Sequence, residues 1–149
     1  MATIIDTRGL DARLQRMLEA DRAVGTTLLR AFGVHMQRSI ALNFQTEGRE
    51  DGGSGTWVPL HPSTIAGRRK GQRADPKILV RTGLLKNSIS FMAPPDTEDF
   101  ELLVGTGVPY GRYHQEGTAT IPRRRFLVFQ DSDIEWIKRQ AATMLRGDR

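Results

Sequence analysis

The chain reads as an α+β domain: a long N-terminal helical region and a C-terminal helix packed on a small antiparallel sheet, with long flexible loops between them. Three observations carry this reading. Apolar residues recur at helical spacing over residues 10–44 and again over 134–145. Between these stretches, residues 88–93 and 100–104 have strand composition and flank the Pro94-Pro95-Asp96 connection. The order helix, long loop, hairpin, strand, helix then implies helices packed on a small antiparallel sheet. At 149 residues the chain suits one domain, 1–149, able to bury a real core.

In the first helical stretch Leu10, Leu14, Met17 and Leu18 share a face, and a break is expected near residues 20–25. The stripe resumes with Val24, Leu28, Ala31, Phe32, His35, Met36, Ile40 and Phe44. Gly25 and Gly33 each cost a helix roughly 1 kcal/mol against alanine, so tertiary contacts must hold it, with another backbone closely approaching Gly33. His35 lies on the apolar stripe and reads as a packed core residue rather than a ligand. Residues 47–56 are turn chemistry throughout and read as a mobile loop, as does the basic stretch within 67–79. Between them Trp57 to Leu60 anchor the chain to the body, and Pro62 opens a short helix. Thr82 to Lys86 suggest a single turn before the hairpin, and residues 125–130 read as a third strand. The last helix is expected to start at a capping box of Ser132 with Glu135 and to bury Ile134, Ile137, Ala141 and Leu145.

Charge is concentrated rather than spread. Residues 49–90 carry eight basic and three acidic groups, so this segment supplies the net +5. Eighteen of the 22 basic residues are arginine, whose planar fork suits carboxylates, phosphates and packed interfaces, although an arginine-favouring codon usage gives the same bias. There are no cysteines, which removes disulfides, zinc ribbons and thiol nucleophiles and suits folding in the cytosol. The N-terminus does not read as a signal peptide, and no run approaches the roughly 20 apolar residues of a membrane span.

No reaction centre assembles from the motifs. His35, His61 and His114 lack metal-ligand spacing, and His114-Gln115-Glu116 resembles a deaminase signature without the cysteines that chemistry needs. Ser63 and Ser88 lack a nucleophile elbow. Gly105-Thr106-Gly107 and Gly52-Gly53-Ser54-Gly55 match neither dinucleotide nor phosphate-loop fingerprints. No cofactor and no enzymatic activity are expected. Residues 104–129 instead read as a positively charged contact surface: a loop holding Tyr110, Tyr113 and His114, then Arg123, Arg124 and Arg125 running into Phe126. A nucleic-acid binder using the 68–77 and 123–125 arginine clusters is the alternative, with the tyrosines stacking on bases.

Several ordered blocks carry a family resemblance. They are Trp57-Val58-Pro59-Leu60 with Pro62 to Ala66, Leu79 with Thr82-Gly83 and Leu85 to Ile89, Val104-Gly105-Thr106 with Val108-Pro109-Tyr110, His114-Gln115 and Gly117, and Ile121-Pro122 with Arg124 and Phe126-Leu127. Taken together these resemble the phage virion morphogenesis family, the tail-completion proteins of Mu-like tailed bacteriophages. Two positions depart from the family pattern: Glu116 stands where an aromatic is usual, and Arg125 where a proline is frequent. The resemblance implies a non-enzymatic virion protein at the tail and neck, present in the host cytoplasm during assembly, that makes the tail competent to join the head. It implies a homo-oligomeric ring, often six-fold, stacked on tail terminator, tail-tube and head–tail connector proteins, with DNA in the channel as a further non-specific contact and no membrane. The contact candidates are Trp57, Arg81 and Leu85, with Tyr110, Tyr113, His114, Arg123, Arg124, Arg125 and Phe126.

Overall fold

A computed structural model describes residues 3–6, 12–49, 55–69, 76–97 and 100–146. Its elements run β1 (Thr3–Asp6), α1 (Ala12–Ala20), α2 (Arg22–Thr46), β2 (Gly48–Arg49), β3 (Gly55–Thr56), α3 (Pro62–Arg68), α4 (Leu84–Asn87), β4 (Ser90–Met92), β5 (Leu103–Thr106), α5 (Gly111–Glu116) and α6 (Asp131–Leu145). The class is α+β, as the sequence predicts.

The expected helical break falls at Asp21, which caps α2 by accepting a hydrogen bond from the Val24 amide. Leu28, Phe32, Met36, Ile40 and Phe44 are fully or almost fully buried along α2, while Met17 on α1 is exposed and Leu10 lies outside the described residues. Helix α2 is the spine: α1, α6 and the sheet all pack against it. Gly33 is closely approached, though by the Phe91 ring of β4 and not by a backbone; a methyl group there would overlap that ring. Gly25 similarly makes room for Phe100 and the Leu18 carbonyl.

The sheet is antiparallel with order β1-β5-β4. Pairing of Phe91 with Val104 and Met92 with Leu103 confirms the predicted hairpin, and alternation continues through Phe100, Leu102, Val104 and Thr106, all buried. The third strand is the N-terminal segment, with Thr3 opposite Thr106. It is not the 125–130 segment, which belongs to no sheet among the described residues. Side chains satisfy that segment's backbone instead. The Gln115 carboxamide accepts from the Phe126 and Leu127 amides and donates to the Leu127 carbonyl, Asn43 donates to the Phe126 carbonyl, and the Trp57 indole donates to the Arg125 carbonyl. A continuous apolar run can therefore be buried with its polar groups paired and still make no ladder.

The start of α6 also differs from expectation. Asp133, not Glu135, reaches back, accepting from the Gln130 amide at 2.9 Å. The buried stripe is accordingly Asp133, Ile137 and Ala141, and Leu145 is exposed. Asp133 is buried and also accepts from Ser39 at 2.8 Å and meets His35 Nε2 at 2.8 Å, tying α6 to α2. His35 is a packed residue, stacked at 4.4 Å on Trp136, with this carboxylate as its polar partner. Of the two expected loops, 50–54 and 70–75 lie outside the described residues. Their flanks are held: Gly48 pairs with Thr56, and Lys77 donates to the Gln45 carbonyl.

Candidate functional site

The residues singled out between positions 57 and 126 converge on one region, and the convergence begins with backbone geometry. Tyr110 and Tyr113 sit on or beside the short helix α5, where a loop is the sequence reading. Gly111 lets that helix dock: a Cβ there would lie 3.1 Å from Thr106, 3.3 Å from Leu85 and 3.4 Å from Phe126. Gly117, at φ 77°, ends it, donating to the Tyr113 carbonyl at 2.9 Å. One turn of helix therefore presents Tyr110 and His114 on one side and delivers Gln115 to the 126–127 backbone on the other.

Arg124 then closes the region. Its side chain donates from Nε to the Val58 carbonyl at 2.8 Å and from Nη2 to the Pro59 carbonyl at 3.1 Å, while its amide donates to the His114 carbonyl at 2.7 Å. At 6% exposure it works as a clamp between the 57–60 segment and α5. The arginine triplet is thus split: Arg123 is exposed, Arg124 buried and Arg125 half-buried.

Above the clamp lies a cleft of about 490 Å³. Leu60 and Arg68 form one wall, residues 79 and 81–85 a second, and Tyr110, His114 and Arg124 the third. Leu79 holds φ 57°, a left-handed conformation costing a branched side chain about 1–2 kcal/mol, so its placement on the wall is maintained against strain. Among the described residues the lining contains three arginines and a histidine but no carboxylate. Burial lowers the His114 pKa, and the nearby charges of Arg124 and Arg68 lower it further. Burial and Arg68 likewise lower that of Arg124. His114 Nδ1 and Arg68 Nη1 are both buried without a hydrogen-bond partner. Such groups ordinarily cost about 1–3 kcal/mol each, and here both border the same cleft.

Five contact candidates line the cleft: Arg81, Leu85, Tyr110, His114 and Arg124. Tyr113 is exposed beside it, with the Arg112 guanidinium 5.7 Å from its ring centroid. Trp57, Leu85 and Phe126 are core residues, so Trp57 and Phe126 act on anything outside only through the shape they impose. Arg68 belongs to the cleft rather than standing free in a basic loop, and Lys70 and Arg73 lie outside the described residues. The sequence reading missed Gln115 as the organiser of the 126–127 backbone and Leu84, 56% exposed, as part of the cleft wall. Neither residue type in a short helix signals such a role. Among the described residues no group of three or more potential ligands could hold a metal ion, and no helix is long and apolar enough to cross a membrane.

The model of the phage virion morphogenesis family matches residues 5–146, nearly the whole chain. No curated protein and no solved structure matches.

Proposed function

This chain belongs to the phage virion morphogenesis family, which makes it a virion-associated structural or assembly protein, and on that premise we propose that it completes the head-proximal end of a phage tail and enables head–tail joining. The observation that carries the reading is the convergence of the family-type blocks on one cleft, built from α3, the 79–85 segment, α5 and Arg124. The cleft offers shape, positive charge and exposed aromatic surface. Among the described residues its lining holds neither a carboxylate nor a serine, and a non-enzymatic role is part of the proposal.

Assembly into a closed ring, six-fold as in the family resemblance, is part of the proposal. Head-to-tail ring contacts join two different surfaces of each subunit, and this fold has two: the cleft on one hand and, on the other, the uncovered sheet face with exposed Ile4 and Met92. Tail terminator, tail-tube and connector proteins are the proposed neighbours above and below.

Phage carrying Tyr110→Ala or Tyr113→Ala tests this. Both side chains are more than two-fifths exposed, so the fold should survive their loss. The expected result is free heads beside completed-length tails in electron micrographs, with infectivity lost. Normally joined, infectious virions from both variants count against the role.

A further inference from the structure

We propose that the cleft receives an acidic side chain from a neighbouring virion protein, its carboxylate among Arg68, Arg81 and Arg124 and its apolar flanks against Leu60, Leu79 and Leu84. The inference deepens the assembly reading above and rests on it, because it supplies the chemistry of a neighbour.

Three observations carry it. The lining sets three guanidinium groups together with no acidic residue among the described residues to balance them. These charges lie close enough for Arg68 to lower the pKa of both Arg124 and His114, after the larger effect of burial. A carboxylate entering the cleft offsets that charge and gains charge-assisted hydrogen bonds. The unmet donor capacity of Arg68 Nη1 lies at the same place. The remaining walls are leucine and tyrosine, with Leu84 56% exposed, which calls for apolar groups on either side of the acid. A peptide segment provides both; a nucleic-acid backbone provides the anion but no aliphatic flanks. The buried Arg124 also sits too deep for a smooth duplex, whose phosphates are met by projecting side chains.

The test is a titration of the purified full chain with acetyl-Leu-Glu-Leu-amide and its glutamine twin, followed by the backbone amide resonances of Gly83, Leu84 and Gly111. The glutamate peptide should shift these amides and bind about tenfold more tightly than the glutamine peptide, as a charge-assisted contact predicts. Arg81→Ala should erase most of that preference; Arg81 is exposed on the rim, so the variant keeps its fold. Equal affinity for the two peptides, shifts confined to other regions, or no shift up to the solubility limit overturns the proposal. So does a short DNA duplex that perturbs the same amides at lower concentration than the peptide. A failed titration alongside a joining defect in Tyr110→Ala phage removes the carboxylate and leaves the assembly role; the converse pair of results removes the role and leaves the cleft chemistry.

Discussion

A guanidinium buried in a protein needs acceptors, and Arg124 finds them in the Val58 and Pro59 carbonyls. That pairing separates it from Arg123 and Arg125, which the sequence presents as equivalent neighbours. Its charge, with that of Arg68, bears on His114, whose pKa is depressed chiefly by burial. The sign of the consequence follows from proton counting. Above the unfolded-state value near 6.5, the imidazole is neutral in both states and contributes no slope. As pH falls from there towards the lower folded-state value, the unfolded chain binds a proton that the folded chain refuses, and stability declines. Urea denaturation between pH 7.5 and pH 5.5 should therefore show His114→Gln with a flatter pH dependence than the native chain. The difference should stay below the ~1.4 kcal/mol per pH unit that one whole proton gives. Parallel curves for the two proteins contradict the assignment.

Among the elements, α5 and the 125–128 segment show how a short helix can replace a strand partner. The continuous apolar run Phe126-Leu127-Val128-Phe129 looks like a strand, and Phe126 and Leu127 are both fully buried although they pair in no ladder. Gln115 makes this possible by serving two amides and one carbonyl from a single side chain. Gln115→Leu keeps the bulk and strands those groups, so it should cost about 2–4 kcal/mol of unfolding free energy, at roughly 1–3 per orphaned group with some recovery by water. Hydrogen exchange at the Phe126 and Leu127 amides should speed up first. A near-neutral substitution would mean that the segment holds itself in place by apolar burial alone. The α2–α6 junction obeys a similar logic, since Asp133 is shared by Gln130, Ser39 and His35.

For the molecule as a whole, the net +5 invites a nucleic-acid reading, and the structure draws two of the arginines on which that reading depends, Arg68 and Arg124, into the cleft. Arg124 is engaged internally, and Arg68 is half-buried in a leucine-walled cleft. Few of the cleft's arginines can then reach successive phosphates together. Affinity for duplex DNA should fall with salt along a log–log slope shallower than about −3, given roughly 0.9 per phosphate neutralised. A slope of −6 or steeper, measured by anisotropy across a salt series, would favour the 68–77 and 123–125 clusters as a nucleic-acid surface. The three-stranded sheet points the same way as the assembly proposal, because its edges are β1 and β4, and Met92 on β4 is half exposed. Such edges in a virion protein are natural places for a neighbour to dock.

Local periodicity determined the long helices, the hairpin and the tight spot at Gly33, because a buried face leaves its repeat in the sequence whatever it packs against. The contact candidates between Trp57 and Phe126 likewise include five residues that line one cleft, named before their arrangement was visible. Tertiary structure decided everything that depends on which distant segment arrives. Thr3 pairs with Thr106 across about a hundred residues, and no local pattern in β1 announces that partner. The 125–130 run lost its strand character to carboxamides on α2 and α5, and Asp133 became a junction in place of a helix-end charge. Hydrogen-bond partners are chosen by proximity, and proximity exists only once the chain has folded.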